Sequence, residues 1–213
     1  MEHEHNHDHA EMFTAAYWDE RYGSADRVWS GNPNPRLVTV AGDLTPGTAL
    51  DVGCGEGADV IWLAARGWQV TGVDVSEVAL KRAAEAAGSE LADRITWQQA
   101  DILTWTPEKA YDLVTAHFIH LPRPELTALH RRLADAVKPG GTLLIVGHHP
   151  LDIEAIERPK HVAALMLTAE DMAETFDENE WEIEATNPGR PFTDPDGNEV
   201  TLHDAVVRAT KKA

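Results

Sequence analysis

Three glycines at alternate positions, flanked by carboxylic acids, form the stretch of this 213-residue chain best suited to chemistry. Residues 49–57 are Ala-Leu-Asp-Val-Gly-Cys-Gly-Glu-Gly. Glycine lacks a Cβ, so its backbone can adopt positive φ and a ligand can approach it closely. The apolar run before the glycines and the helical spacing of apolar residues over 58–66 predict a strand, a tight turn and a helix. Such turns lie at the carboxyl end of doubly wound sheets, where nucleotides bind.

The spacing and charge of this loop distinguish between nucleotide ligands. A dinucleotide site has G-x-G-x-x-G with a pyrophosphate on the helix N-terminus, whereas this loop has G-x-G-x-G. Carboxylates at Asp51 and Glu56 would repel a pyrophosphate and favour a positively charged ligand. S-adenosylmethionine (SAM), which has a sulfonium, an ammonium and no phosphate, is such a ligand. Asp74 ends the next predicted strand, roughly 20 residues further on, where an acid can bind ribose hydroxyls.

Residues 49–76 resemble motif I and the following acidic strand end of class I SAM-dependent methyltransferases. The resemblance implies that Asp51 positions the methionine ammonium and that Asp74, with Val75, binds the ribose. The loop residues that it implies for the cofactor are Gly53, Cys54, Gly55 and Gly57. The alternative is an ordinary glycine turn in a Rossmann-like domain that binds NAD or no ligand. An NAD-dependent enzyme would need a third glycine one residue later.

The order of predicted elements favours an α/β fold. We expect a doubly wound, Rossmann-like sheet of seven strands, mostly parallel, that ends in a C-terminal antiparallel hairpin. The hairpin is predicted from alternating residues over 181–186 and 200–209, with a Pro/Gly/Asp-rich loop over 187–198. The other predicted strands are 50–52, 68–74, 95–99, 111–116 and 142–147. Residues 11–213 are predicted to form a single domain, with an N-terminal helical lid over 11–45.

Two further strand ends supply candidate site residues. In the resembled fold an acid after the third strand accepts the adenine amine, which implies Asp101 for that role and Ile102 beside the ring. A surface-turn aspartate is the alternative, because turns favour Asp. His117 and His120 lie at the end of the fourth strand. The resemblance places the transferable methyl group beside this strand end and implies that His117 also contacts the cofactor. Either imidazole could act as a general base or be a structural, hydrogen-bonded histidine.

Aromatic residues of the N-terminal segment and histidines after the fifth strand are candidates to line the substrate site. By analogy with the resembled superfamily, the lid residues are Tyr17, Trp18, Tyr22 and Trp29. Their rings could stabilise a sulfonium by about 0.5–2 kcal/mol per contact, or simply pack the lid on the sheet. His148 and His149 end the fifth strand, so four histidines are expected at one rim. Their spacing does not specify a metal site, and no metal ligands are predicted.

Composition limits the partners. The formal net charge is −18, from 18 Lys+Arg and 36 Asp+Glu, which disfavours nucleic-acid substrates. No apolar run is long enough to span a membrane and no signal peptide is recognised. With one cysteine, Cys54, an intramolecular disulfide is excluded and a cytoplasmic protein is expected. Residues 1–10, rich in histidine, are predicted to form a disordered tail that chelates metal or is simply solvated.

These observations lead to one main functional hypothesis. The chain is expected to transfer the methyl group of SAM to a small-molecule acceptor by in-line displacement, as a monomer or homodimer. A thiol, hydroxyl, amine or chalcogen acceptor is consistent with the lack of the Asn/Asp-Pro-Pro-Tyr/Phe tetrapeptide of several N-methyltransferases. The chain's size and its 29–35 loop resemble the branch near tellurite-resistance and thiol methyltransferases. The alternative is a non-catalytic SAM-binding protein, or a metal-binding protein that uses the histidine-rich tail.

Overall fold

The fold is built on a β-sheet in the computed structural model, which describes residues 11–152, 164–193 and 197–213. The histidine-rich tail over 1–10 lies outside the described residues. The strands are β1 (Thr48–Val52), β2 (Gln69–Asp74), β3 (Ile95–Gln99), β4 (Tyr111–His117), β5 (Val137–His148), β6 (Trp181–Thr186), β7 (Gly189–Thr193) and β8 (Glu199–Lys211). The α-helices are α1 (Ala15–Gly23), α2 (Pro35–Gly42), α3 (Ala58–Ala65), α4 (Glu77–Ala87), α5 (Arg123–Asp135) and α6 (Ala169–Ala173), with 3₁₀ turns at Glu11–Phe13 and Ser89–Arg94.

The strand order is β3-β2-β1-β4-β5-β8-β6, and β7 pairs with β8. The strands from β3 to β5 in this order are parallel, while β8 runs antiparallel to β5 and to β6. The predicted α/β fold, mostly parallel with antiparallel C-terminal strands, is therefore confirmed. The parallel arrangement brings the carboxyl ends of β1, β2 and β4 to one edge, which is where the glycine loop lies.

One part of the strand prediction is wrong. Residues 189–193, within the predicted loop 187–198, form β7 and pair with β8 from Gly189↔His203 to Thr193↔Glu199. The sheet therefore has eight strands and not seven. Glycine and proline gave this segment the composition of a loop. Proline is nevertheless tolerated in an edge strand, because there its missing N–H removes no ladder bond.

The two faces of the sheet are covered by different helices. Alternate residues along β5 belong to separate cores: Leu143 and Ile145 join one, Leu144 and Val146 the other. Helix α5 packs on the first face and helices α2 and α3 on the second. Because side chains alternate along a strand, Asp51 on β1 and His117 on β4 lie on the second face, beside α3.

Local sequence signals set the helix starts that position the site. Ser76 accepts the Ala79 N–H at 3.1 Å and caps α4. Asn34 accepts the Arg36 N–H at 2.9 Å and caps α2, which has Pro35 in its first turn. Thr168 and Asp171 form a reciprocal capping box on α6. Among the described residues, none of the helices has the length and apolarity needed to cross a bilayer.

Candidate functional site

The glycine loop joins β1 to α3 and is held against β2. Gly53, Gly55 and Gly57 have φ values of 72°, 52° and 80°, a region that L-residues with a Cβ rarely adopt. The Gly53 and Cys54 N–H groups both donate to the Val73 carbonyl, at 2.8 and 3.0 Å. Burial, and then the nearby Asp74, raise the pKa of the Cys54 thiol well above its usual value. Cys54 is therefore a neutral packing residue and not a thiolate nucleophile.

Asp74 closes the loop from the end of β2. Its carboxylate is buried and accepts the Gly55 N–H at 2.8 Å and the Ser76 N–H at 2.9 Å. Burial raises the pKa of Asp74, and the two backbone donors partly oppose that rise. An ionised carboxylate has about four acceptor positions, so these bonds leave capacity for the ribose hydroxyls expected there.

Asp51 is buried at the end of β1, directly before the glycines. Thr115 on β4 donates its hydroxyl to Asp51 Oδ1 at 2.6 Å. Burial, and then the charge of Asp59, raise the pKa of Asp51 to about 7. The carboxylate thus lies in a site that disfavours a further negative charge and would favour a cation.

Asp59, in the first turn of α3, was not among the predicted site residues. Its Oδ2 lies 2.7 Å from His117 Nδ1, and its Oδ1 accepts the Asn34 N–H at 2.6 Å. Burial lowers the pKa of His117, but the hydrogen bond and charge of Asp59, with the charge of Asp51, outweigh that effect and raise it overall. The sequence signal was weak, because an acid in the first turn of a helix is common for reasons of helix stability alone.

Asp51, Asp59 and His117 form one cluster, which we call the acid–imidazole cluster. Each contributes a potential ligand atom, and these atoms lie within 4.8 Å of one another. Two carboxylates face one imidazole, so the cluster has a net negative charge when both acids are ionised, whether or not the ring is protonated. Such a cluster can bind an ammonium group or a divalent cation.

The N-terminal lid is tied to the glycine loop by further carboxylates. Glu56 accepts the Val28 and Trp29 N–H groups, both at 3.1 Å, and forms an ion pair with Arg82 at 3.3 Å. Asp19 on α1 accepts the Ser76 hydroxyl at 2.6 Å. These bonds hold the N-terminal segment against the glycine loop and the start of α4.

The aromatic residues predicted for the substrate site form a cluster in the lid. Tyr22 is buried and its hydroxyl accepts Trp29 Nε1 at 2.9 Å. The Trp18 ring lies 5.9 Å from Tyr22 and 5.5 Å from Tyr17, the latter edge-on. A Cβ added to Gly55 would lie 2.8 Å from the Tyr22 hydroxyl. The same Cβ would lie 3.5 Å from Trp29 Nε1, so Tyr22 and Trp29 both lie against the glycine loop.

The four predicted rim histidines separate into three places. His120 and His148 stack, with centroids 5.2 Å apart, and Phe118 lies 4.4 Å from His148. His117 binds Asp59, as described above. His149 is buried and packs 6.0 Å from His203. Adjacent residues at a strand end point to opposite sides, so His148 and His149 do not share one rim, and that expectation is corrected.

Asp101 lies in an exposed turn after β3. Its Oδ1 accepts the Leu103 N–H at 2.9 Å and its carbonyl accepts the Trp105 N–H at 2.8 Å. Ile102 packs against the core beside it, and its carbonyl accepts an Arg132 N–H at 2.6 Å. Val75 is fixed through its carbonyl, which accepts Gln99 Nε2 at 3.2 Å. These contacts suit a turn aspartate and leave its second carboxylate oxygen available to an adenine amine.

A groove of the molecule lies elsewhere. It measures about 410 Å³ and is lined by Pro46, Asp112 and Gly141 at the amino-terminal edge of the parallel strands. Ligands of doubly wound folds bind at the opposite, carboxyl-terminal edge. We therefore assign the site by the chemistry at the glycine loop and not by the volume of this groove.

Known proteins resemble this chain over the segment that contains the loop. A family described as "Methyltransferase domain" matches residues 49–141. Thiocyanate methyltransferase 1 of Brassica oleracea is 32% identical over 133 residues, which are 60% of this chain and 59% of that protein. A ribosomal RNA small subunit methyltransferase C of Alcanivorax borkumensis is 39% identical over 111 residues, 50% of this chain and 34% of that protein.

Solved structures extend the similarity to the whole fold. The magnesium protoporphyrin IX methyltransferase of Synechocystis PCC 6803, solved with bound SAH, superposes with a TM-score of 0.66 at 19% identity. The superposition covers 95% of this chain and 97% of that one. At this identity the likeness concerns the fold. The chain spans between about one third and three fifths of the length of the curated relatives that it matches first.

Proposed function

We propose that the chain, of which residues 49–141 match the family described as "Methyltransferase domain", transfers the methyl group of SAM to a small-molecule acceptor. The acid–imidazole cluster is the main observation that supports this proposal. Its two carboxylates face one imidazole at the start of the glycine loop, with ligand atoms within 4.8 Å of one another. The methionine ammonium of SAM would offset the net negative charge of this cluster. A pyrophosphate would instead be repelled.

In this proposal, different residues of the chain bind different parts of the cofactor. Asp51 would hold the ammonium, and the loop from Gly53 to Gly57 would lie against the amino-acid part and the ribose. Asp74 would accept the ribose hydroxyls, and Asp101 the adenine amine. Val75 and Ile102 would flank the nucleoside. Acceleration would come from alignment of the acceptor with the methyl group and from exclusion of water by the lid, since a sulfonium is already an activated leaving group.

A small acceptor is favoured over RNA by electrostatics. The net charge of −18 would oppose a phosphate backbone, even though one relative carries the name of a ribosomal RNA methyltransferase. The name of another relative specifies thiocyanate, a small sulfur nucleophile. We propose a thiol, hydroxyl, amine or chalcogen acceptor, with sulfur acceptors to be tested first.

Calorimetric titration with S-adenosylhomocysteine (SAH), with NAD as the control ligand, tests the cofactor. We expect SAH and not NAD to bind, and Asp74→Ala to weaken SAH binding by about 1–3 kcal/mol through lost hydrogen bonds. The matched control is Asp112→Ala, since Asp112 bonds Thr48 and Lys138 at the other edge of the sheet. A preference for NAD, or equal losses in both variants, would contradict the proposal.

A divalent cation is the second candidate ligand, because the spacing of the acid–imidazole cluster would also suit a metal. Titration with Zn²⁺ or Mn²⁺ in the presence and absence of SAH separates the two. If SAH excludes the metal, the ammonium and the cation share one site. Repeating the titration without residues 1–10 tests the metal-binding alternative for the histidine-rich tail.

A further inference from the structure

We infer that Asp59 is a positioning residue that holds His117 as the proton acceptor of the methyl transfer. The inference deepens and rests on the proposed function, since it concerns the acceptor side of the same site. It also narrows the acceptor to a nucleophile that carries a proton, such as a hydroxyl or a thiol. A nucleophile that is already an anion would not need the pair.

The hydrogen bond between the two residues fixes which ring nitrogen can act. A carboxylate can only accept, so the 2.7 Å contact between Asp59 Oδ2 and His117 Nδ1 places the proton on Nδ1. In the neutral ring the lone pair is then on Nε2. That atom is buried and has no hydrogen-bond partner within the described part of the chain, and the His117 side chain is only 7% exposed. A nitrogen lone pair with no partner in the protein is available to accept a proton from a bound acceptor, which is the role of a general base.

Asp59 is itself held in place from the lid. The Asn34 N–H donates to Asp59 Oδ1 at 2.6 Å, while the Asn34 side chain caps α2 by accepting the Arg36 N–H. One carboxylate thus joins the helix after the glycine loop, the end of β4 and the start of α2. The contact from Asn34 thus fixes the carboxylate of Asp59 through the oxygen that does not bond to the His117 ring.

The charged groups nearest His117 are the two carboxylates of the acid–imidazole cluster. The titratable groups that face it are Asp59 on α3 and Asp51 on β1, and both favour the charged ring. Asp51 in turn lies near Asp74 on β2 and Cys54 in the loop, and the lid residue that contacts Asp59 is the uncharged Asn34. A cofactor ammonium at Asp51 would offset part of the negative charge beside the ring.

The proposed step balances as follows. A lone pair of the acceptor atom forms the new bond to the methyl carbon, while the carbon–sulfur bond breaks and its electron pair stays on sulfur, giving SAH. The acceptor's proton moves to His117 Nε2. The imidazolium is stabilised by Asp59 and loses this proton to water after the lid opens. No oxidant or reductant is needed.

Nitrogen NMR of the histidine rings tests the pair without any acceptor. In ¹⁵N-histidine-labelled protein, His117→Gln assigns the His117 signals. We expect neutral His117 to carry its proton on Nδ1, and Asp59→Asn to lower the pH at which the ring titrates, whereas Asp112→Asn leaves it unchanged. A neutral ring protonated on Nε2, or a titration that Asp59→Asn does not move, would overturn the inference.

Two thiols provide the kinetic test, with SAH formation as the measurement. 4-Nitrothiophenol is a thiolate at neutral pH, whereas 2-mercaptoethanol is mostly protonated. We expect Asp59→Asn to slow turnover of 2-mercaptoethanol by about tenfold or more and to have much less effect on 4-nitrothiophenol. Equal losses for both thiols, with SAH affinity intact, would overturn the inference. Failure of the wild type to bind SAH would instead refute the proposed function, and if neither thiol is methylated, the NMR result decides.

Discussion

The Trp97 ring lies against the position where any residue other than glycine would place a side chain at Gly57. A Cβ built on Gly57 would lie 2.7 Å from Trp97 Cη2 and 2.8 Å from the Ala83 Cβ. Gly57 also has φ of 80° as the N-cap of α3. The last glycine of the loop is thus required by packing between α3, α4 and β3 as well as by the backbone turn.

Replacement of this glycine should be costly to folding. Gly57→Ala combines positive-φ strain of about 1–2 kcal/mol with overpacking of about 1–3 kcal/mol. Gly140→Ala is the matched control, because Gly140 has φ of 78° but no atom within 4 Å of the added Cβ. Urea unfolding should show a larger loss for Gly57→Ala than for Gly140→Ala. Equal losses would mean that the contact with Trp97 relaxes freely.

Asp51→Asn should stabilise the protein without ligand in a pH-dependent way. Since the pKa of Asp51 is raised to about 7, the folded state holds a proton that the unfolded state has lost, and this costs stability as pH rises from about 4 to 7. The gain in melting temperature for Asp51→Asn should therefore be small at pH 4, grow towards pH 7 and stay constant above it. Thr115 can still donate to the asparagine oxygen. A gain that does not vary with pH would refute the assigned cause.

The same substitution should weaken SAH binding, since a neutral amide replaces the carboxylate proposed for the ammonium. Titration calorimetry at pH 8 measures this effect, and the Asp112→Asn variant serves as the control. We thus expect the Asp51→Asn variant to be more stable than the wild type and to bind SAH less tightly. Unchanged affinity would remove Asp51 from the cofactor site.

Glu56→Ala should loosen the lid. The substitution removes the acceptor of the Val28 and Trp29 N–H groups and the partner of Arg82. We expect SAH to associate and dissociate faster, with dissociation accelerated about tenfold, as for loss of more than one hydrogen bond. Stopped-flow tryptophan fluorescence reports lid movement, and a Trp29→Phe variant identifies the part of the signal that comes from Trp29, which is 48% exposed. Glu85→Ala, an exposed acid on α4, should leave both rates unchanged, and the same result for Glu56→Ala would show that Glu56 does not hold the lid.

Much of the fold could be predicted because its signals are local. Ile95–Gln99 forms β3 with the predicted bounds, and Ser76 and Thr168 cap their helices through contacts with residues three positions further along the chain. The pair of Asp59 and His117 could not be predicted in this way. Its members are 58 residues apart in the chain, and only the parallel pairing of β1 with β4 brings α3 beside the end of β4.

Other differences have equally specific causes. β7 was missed because its stability comes from pairing with β8 and not from its own residues, which include Gly189 and Pro191. The separation of His148 from His149 follows from strand alternation and was available from the sequence. The four histidines were expected together because they lie at the ends of neighbouring strands, and the direction of each side chain was not considered.

The position of β8 between β5 and β6 has a consequence for biosynthesis. On the ribosome, β6 emerges before β8, yet its partner in the finished sheet is β8, so the nascent β6 has nothing to pair with until the following strand is made. Until then β5 also presents an open edge, and such edges invite association between chains. Closure of this half of the sheet is therefore a late event, and a stalled or shortened translation product would display two unprotected strands to chaperones.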